Sequence, residues 1–162
     1  MNRVLASITL GLLCVACQRN ESAQPAEAAA AKPPWLTNYA AARAQARAEN
    51  RMLLINFTGS DWCPPCILLH RQILSQLEFA DYAASHLVLL EVDFPHTKAQ
   101  SDAQKAANEN LANQYGIYGF PTVIVLDSSG KKIGELGYMR GGAEPFITAI
   151  EKLRGADATT TP

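Results

Sequence analysis

The stretch Trp62-Cys63-Pro64-Pro65-Cys66 contains two cysteines that are separated by two prolines, and it lies between two apolar runs. An apolar run at 52–57 precedes the stretch, and a shorter apolar run at 67–69 follows it. This order predicts a buried strand that passes into a helix, with Cys63 near the helix N-terminus. Unpaired N–H groups and the helix dipole at such an end favour thiolate over thiol. The two cysteines therefore indicate a reversible two-electron switch.

Length, charge and cysteine content limit the classes of protein to consider. The chain has 162 residues, enough for one domain with a hydrophobic core. Its net charge of −1 gives no reason to expect nucleic acid as a partner. Cys14 and Cys17 lie in an N-terminal apolar segment, which leaves Cys63 and Cys66 for the folded part. That pair fits a redox site or half of a metal site, and not a disulfide scaffold.

Residues 1–17 have the pattern of an export signal of the lipoprotein type. Arg3 supplies a positive charge, and the apolar segment at 4–16 is too short to span a bilayer comfortably. Ala16 precedes Cys17 as in the lipobox of bacterial lipoproteins, although Cys14 stands where leucine is usual. We therefore expect lipidation of Cys17 and a periplasmic protein anchored to the membrane. Cleavage by the ordinary signal peptidase is the alternative.

Two segments next to the domain lack any apolar periodicity. Residues 18–34 are polar and then rich in alanine and proline, which predicts a disordered tether. Residues 156–162 are expected to form a disordered tail. The folded domain is thus predicted to cover 35–155, and a tether behind a lipid anchor would let it move at a membrane surface.

Between these segments, helical and strand patterns alternate. The predicted order is α-β-α-β-α-β-β-α, with strands at 52–58, 87–92, 121–126 and 132–138. After the cysteines, Leu69, Ile73 and Leu77 recur on one helical stripe, and a break near 75–78 is expected before another short helix. The two crossovers predict parallel pairing of the first strands, and the final hairpin adds an antiparallel edge. The prediction is an α/β fold with a mixed sheet between helices.

Two motifs together resemble a known family. The stretch at 62–66 and Gly119-Phe120-Pro121-Thr122 resemble the two signatures of the thioredoxin-like superfamily, whose element order is also similar. The likeness covers about 35–153, and residues 56–63 resemble exported bacterial thioredoxin-domain proteins in particular. The resemblance implies a three-layer sandwich with a sheet of four or five strands. It also implies a thiol–disulfide oxidoreductase, for which we expect no cofactor.

The resemblance also implies roles for individual residues. Pro121 would follow a cis peptide bond close to the disulfide, and the backbone of Phe120 would pair with an extended substrate segment. The alternative is an ordinary trans proline at the start of a strand. Trp62 would shape the docking surface. Cys63, at the exposed end of its helix, would attack a substrate disulfide, and the less exposed Cys66 would resolve the mixed disulfide.

The chain departs from thioredoxins at the position beneath the cysteine pair. Thioredoxins have a buried carboxylate there, whereas the counterpart in this chain is Asn56, which does not titrate. Asp61 is a nearby carboxylate that we expect to be solvated in a loop. Assisted proton transfer would then depend on water or on Asp61. Around the proline loop, Tyr118 and Phe120 are candidates for apolar docking surface, whereas Tyr115 is as well explained by a place in the core.

Other classes of function fit parts of the pattern. Cys63, Cys66 and His70 have the spacing of a Cu or Zn site, although neither His86 nor His96 provides a fourth ligand at paired spacing. A binding module without turnover is a third interpretation, which the intact cysteine pair disfavours.

The direction of exchange is a separate question. We favour a reductase of protein disulfides outside the cytoplasm, because the chain lacks the large helical insertion usual in the related oxidases. A disulfide-forming oxidase or an isomerase is the alternative. The expected partners are proteins that contain disulfides and a membrane redox protein that supplies or removes electrons.

Overall fold

The computed structural model describes residues 33–158. The predicted export signal, the lipidation site Cys17, the tether up to residue 32 and the last part of the predicted tail lie outside these residues. Within the described range the strands are β1 Trp35–Leu36, β2 Met52–Thr58, β3 Leu87–Asp93, β4 Thr122–Leu126 and β5 Lys132–Leu136. The helices are α1 Tyr39–Ala48, α2 Pro64–Leu69, α3 Leu77–His86, α4 Asp102–Tyr115 and α5 Ala143–Ala158, with a π-helical turn at His70–Leu74.

The strands form one mixed sheet in the order β1-β3-β2-β4-β5. Strands β1 and β2 both run parallel to β3, whereas β4 runs antiparallel to β2 and to β5. The predicted parallel pairing and the predicted hairpin are therefore confirmed. The fifth strand is β1, which has only two residues and so leaves no periodic pattern in the sequence.

Both faces of the sheet are covered, which confirms the three-layer sandwich. Every residue of β2 is buried, because alternate side chains enter two separate cores. Leu53, Ile55 and Phe57 pack towards α1 and α4. Met52 and Leu54 pack on the opposite face, with residues of α2, α3, α5 and the π-helical turn.

The face towards α2 becomes polar near the carboxyl ends of the two central strands. In β2, Asn56 and Thr58 follow the apolar Leu54 on this face, and in β3, Glu91 and Asp93 follow Leu89. Parallel strands end at the same edge of a sheet, so these polar side chains collect at one end of the layer. The cysteine loop, which begins directly after β2, lies at that end.

The helical region after the cysteines is interrupted, as predicted, but with a different phase. Leu69 and Ile73 are fully buried, whereas Leu77 is 67% exposed, so its predicted place on the same stripe is wrong. The π-helical turn adds a residue to the turn, and two residues outside any helix then precede α3. The helix face rotates as a result, and Phe79 enters the core instead.

Helix α5 extends to Ala158, three residues beyond the predicted domain boundary at 155. Residues 156–158 are therefore helical and not part of a tail. Ala156 and Ala158 are strong helix formers and continue the helix past Gly155. None of the helices within 33–158 is both long enough and apolar enough to cross a bilayer.

Candidate active site

The cysteine pair forms a disulfide at the start of α2. Gly59, just after β2, turns the chain, because its carbonyl accepts the backbone N–H of Trp62 and of Cys63, at 3.3 and 3.0 Å. Cys63 is the N-cap residue of α2, and Pro64 and Pro65 occupy its first two positions, where an N–H has no partner within the helix. The Cα atoms of Cys63 and Cys66 are 5.3 Å apart, within the usual range for a disulfide.

Both cysteines are buried in this oxidised state. Cys63 is 4% exposed and Cys66 is 2% exposed, so the expectation of an exposed Cys63 is wrong for this state. Residues three apart share one face of a helix, and the bonded pair therefore faces inward together. Pro64 and Pro65 occupy the outward face of the same turn and are exposed.

The proline loop lies beside the cysteine loop, as the resemblance implies. The peptide bond between Phe120 and Pro121 is cis. The Phe120 ring is 6.1 Å from the Trp62 ring, centroid to centroid, and it stacks on the Phe94 ring at 5.0 Å. Aromatic contacts thus join three chain segments that are distant in sequence around the disulfide.

Trp62 is held from several sides. Its indole N–H donates to the carbonyl of Phe94 at 2.7 Å, and its ring stacks on His96 at a centroid distance of 4.4 Å. A Cβ atom on Gly59 would lie 2.5 Å from Trp62 Cε2, so only glycine allows the ring to rest against the chain there. With 40% of its surface exposed, Trp62 can still contact a substrate.

Asp61 anchors the loop that carries His96. Its carboxylate accepts hydrogen bonds from the Thr97 hydroxyl and from the backbone N–H groups of His96, Thr97 and Lys98. These bonds, that of the Thr97 hydroxyl foremost, hold the pKa of Asp61 well below its usual range. The carboxylate is therefore ionised and hydrogen-bonded at any pH at which cysteine thiols react. It is not suited to accept a proton from a cysteine.

Apolar side chains are exposed next to Cys66 and just before the proline loop. Tyr118 is fully exposed just before the proline loop, and Ile67 is 43% exposed next to Cys66. Tyr115, in contrast, belongs to the core: its hydroxyl and that of Tyr39 share a hydrogen bond of 2.8 Å. The interpretation of Tyr115 as a core residue is therefore confirmed, and Tyr118 is the exposed tyrosine of the two.

The alternative of a Cu or Zn site finds no support in the arrangement of the side chains. Within residues 33–158, no group of three or more histidine, cysteine, aspartate or glutamate side chains is placed to hold a metal ion. Cys63 and Cys66 are bonded to each other, and His70 lines a cavity that also contains Glu91.

Glu91, a half-buried carboxylate in that cavity, is not among the site residues predicted from the sequence. Glu91 is the Cα partner of Asn56 in the ladder between β2 and β3. The available signal was an acidic residue within the otherwise apolar run 87–92. Its significance depends on the strand register, which a single sequence does not reveal.

Comparisons with known proteins agree with this geometry. The model of the thioredoxin-like domain family matches residues 39–154. Over 148 residues the chain is 34% identical to the disulfide bond reductase DsbH of Chlamydia pneumoniae, and the match covers 89% of each protein. A solved structure of a DsbH oxidoreductase superposes with a TM-score of 0.73 at 35% identity, over 80% of this chain and 90% of that one. A thioredoxin from Thermus thermophilus shares the fold, with a TM-score of 0.53 at 21% identity over 78% and 88% of the two chains.

The matched region includes the disulfide, the proline loop and the sheet from β2 to β5. The similarity to the Chlamydia protein extends over nearly the whole chain and is well above what a shared fold alone produces. The chain therefore belongs to the thioredoxin-like family, and it is a thiol–disulfide oxidoreductase.

Proposed function

We propose that the protein reduces disulfide bonds of exported proteins outside the cytoplasm, with Cys63 as the nucleophile and Cys66 as the resolving thiol. The observation that carries the direction is the similarity, over 89% of the chain, to a protein named a disulfide bond reductase. The surroundings of the cysteine pair support the division of roles. Cys63 begins α2 beside Trp62, whereas Cys66 lies one turn inside the helix.

The reaction has two exchange steps. The Cys63 thiolate attacks one sulfur of a substrate disulfide, the substrate S–S bond breaks, and its other sulfur leaves as a thiolate. Cys66 then loses its proton and attacks Cys63 Sγ, which releases the second substrate sulfur. Two electrons pass from the cysteine pair to the substrate, and the pair ends as the disulfide seen in the structure.

Substrate docking uses the surface around the disulfide. The exposed parts of Trp62, Ile67 and Tyr118 offer apolar contact to an unfolded or extended segment. The backbone of Phe120, just before the cis bond to Pro121, would pair with such a segment. Backbone pairing would accept many sequences, which suits a reductase with several protein substrates.

The direction can be tested by equilibrating the pair with glutathione and by following reduction of a protein disulfide such as that of insulin. We expect the wild-type protein to reduce insulin and to have a reduction potential below that of the glutathione pool. Cys63→Ser should abolish turnover, and Cys66→Ser should stop at a mixed disulfide. A pair that glutathione reduces readily, in a protein that instead oxidises dithiols, would indicate the oxidase or isomerase alternative.

The proposed location depends on residues outside the described range. Lipidation of Cys17 and a tether at 18–34 would keep the domain at the outer side of the inner membrane. A membrane redox partner would then supply electrons, because cytosolic reductants do not reach that side. In a bacterial host, the wild type and Cys14→Ser should incorporate labelled palmitate and fractionate with membranes. Cys17→Ser should not incorporate the label, and labelling of that variant would contradict the anchor.

A further inference from the structure

A polar cavity of about 320 Å³ lies beside the disulfide, at the polar end of the layer beneath α2. Cys66 and His70 line it from the helical side. Asn56 and Glu91 line it from the sheet, and Lys98 lines it from the loop that Asp61 anchors. The volume is large enough for several water molecules, and the lining offers them polar partners.

Within this cavity a buried acceptor faces no donor. Asn56 is 4% exposed, and its Oδ1 has no hydrogen-bond partner among the described residues. An unsatisfied buried oxygen is costly, so a native structure normally provides a donor for it. Asn56 and Glu91 are paired in the parallel ladder of β2 and β3, and their side chains therefore project side by side from one face. A protonated Glu91 carboxyl has the O–H that Asn56 Oδ1 lacks.

The charges around Glu91 favour the same protonated form. Burial, and then the neighbouring Asp93 carboxylate on the same strand face, raise the pKa of Glu91. Lys98, from the loop, and His70, from the π-helical turn, act in the opposite direction but do not reverse the shift. Asp93 itself is occupied, because Ser60 donates both its N–H and its hydroxyl to that carboxylate. Glu91 is therefore the carboxyl in this cavity that is free to gain and lose a proton.

We propose that Glu91 exchanges a proton with the Cys66 thiol through this cavity, an inference that rests on the proposed roles of Cys63 and Cys66. In the forward step the Glu91 carboxylate accepts the proton of Cys66 Sγ, directly or through one water. The thiolate so formed attacks Cys63 Sγ, the bond between Cys63 and the substrate sulfur breaks, and the substrate leaves with the electron pair. When a dithiol partner reduces the pair again, the Glu91 carboxyl returns a proton to the departing Cys66 thiolate.

The test follows the two steps separately in the full chain. Reduced protein is mixed with oxidised glutathione and quenched with acid at successive times. Mass spectrometry then distinguishes the mixed disulfide at Cys63 from the closed Cys63–Cys66 disulfide. We expect Glu91→Gln to form the mixed disulfide at the wild-type rate but to close the internal disulfide about 100-fold more slowly at neutral pH, in line with the loss of a general base. The closing rate of the wild type should rise with pH through the pKa of Glu91, and this inflection should be absent from Glu91→Gln.

Two control variants make the test specific. Glu109→Gln removes an exposed carboxylate on α4, outside this cavity, and should leave both rates unchanged. His70→Gln removes a second titratable side chain that lines the cavity and should keep the inflection. If His70→Gln abolished the inflection, or if Glu91→Gln closed the disulfide with the wild-type rate and profile, the proposal would be overturned.

A second measurement needs no variant. The carboxyl ¹³C signal of Glu91, titrated in the wild-type protein, should have its midpoint at the inflection of the closing rate. A midpoint elsewhere would contradict the proposal, even if Glu91→Gln failed to fold. Failure of the proposed function gives a different result, since a wild type that never forms the internal disulfide refutes the roles of Cys63 and Cys66 themselves. Normal closure by Glu91→Gln refutes only the role of Glu91.

Discussion

Asp61 and Glu91 are two carboxylates near the disulfide with opposite environments. Asp61 lies near the surface, where donors from one loop surround its carboxylate and lower its pKa. Glu91 lies in a polar cavity beside Cys66, where burial raises its pKa. Environments that push two pKa values apart assign different tasks to the same chemical group. Asp61 holds structure, and Glu91 is suited to proton transfer.

Glu91 should make stability depend on pH. Its pKa in the folded state lies above that of the unfolded chain, about 4.3, so folding favours the neutral form. This contribution to stability is fully present below the unfolded pKa and is lost as pH rises through the folded pKa. The glutamine of Glu91→Gln is neutral at every pH. The Tm of this variant, relative to that of the wild type, should therefore increase from about pH 4 to about pH 8. Thermal unfolding at both pH values measures this gain, and Glu109→Gln should show none.

Asp61→Asn should loosen a loop without changing the titration of the active site. Folding lowers the pKa of Asp61 in the wild type. The contribution of Asp61 to stability is therefore present above the unfolded pKa and is lost only as pH falls through the lower, folded value. The variant should speed hydrogen exchange at the amides of His96, Thr97 and Lys98 by about tenfold, because a carboxamide has one acceptor oxygen where the carboxylate has two. The rate at which the Cys63–Cys66 disulfide closes should keep the same dependence on pH. Asp102→Asn, at an exposed ion pair, is the matched control. A shifted pH profile in Asp61→Asn would indicate that Asp61 takes part in proton transfer.

At the scale of elements, β2 connects the two cores to the site. Its residues are buried on both faces, as a continuous apolar run with parallel neighbours predicts. The same strand delivers Asn56 to the cavity and, through Gly59, turns the chain into α2. Burial of both faces fixes the strand rigidly, so the cysteine loop begins from a well-defined position.

Neighbouring residues of β2 should be equally sensitive to truncation. Leu54 and Ile55 are both fully buried but enter opposite cores. Leu54→Ala and Ile55→Ala should each lower the free energy of unfolding by about 2–5 kcal/mol in urea titrations. Glu135→Ala, on exposed β5 surface, should change it by about 0.5 kcal/mol or less. If truncation at either position lowered the free energy of unfolding by less than about 1 kcal/mol, the sheet face on which that residue lies would be poorly covered.

The limits of sequence-based prediction appear at the helical region after the cysteines. The shared stripe of Leu69 and Ile73 is predictable from the sequence, because its period is local. Leu77 has the same spacing but is exposed, because the π-helical turn and the break change the phase. Tertiary packing places Phe79 in the core. No periodicity in the sequence shows that Phe79, and not Leu77, is the buried residue.

At the scale of the whole molecule, the last helix closes the fold against the edge hairpin. Gly134 of β5 lies so close to Leu153 of α5 that a Cβ atom would collide with the leucine side chain. Gly134→Ala should therefore destabilise the protein by about 1–3 kcal/mol. In the background of Leu153→Ala the same change should cost less, which a double-mutant cycle in urea measures. Equal costs in both backgrounds would show that this contact does not limit the packing of α5.

The site also exists only at the scale of the whole molecule. It combines the segment at 59–66, the loop at 94–98 and the proline loop at 119–122, held together by contacts of Asp61, Trp62 and Phe120. Each segment follows or precedes a strand of the central sheet. The sheet order β3-β2-β4 brings these three strand ends to one edge, which is why distant residues meet there.

The sequence by itself predicted the class of fold, the strands of the central sheet, the cysteine pair and, through the resemblance, the cis bond before Pro121. These features depend on local patterns: apolar periodicity, the spacing of two thiols, and motifs whose residues are adjacent. Only the tertiary structure decided that the disulfide is buried, that Asp61 anchors the loop at 96–98, and that Glu91 lies beside Asn56 in the cavity of Cys66. The physical reason is strand register and long-range packing, which place side chains together without leaving any periodic trace along the chain.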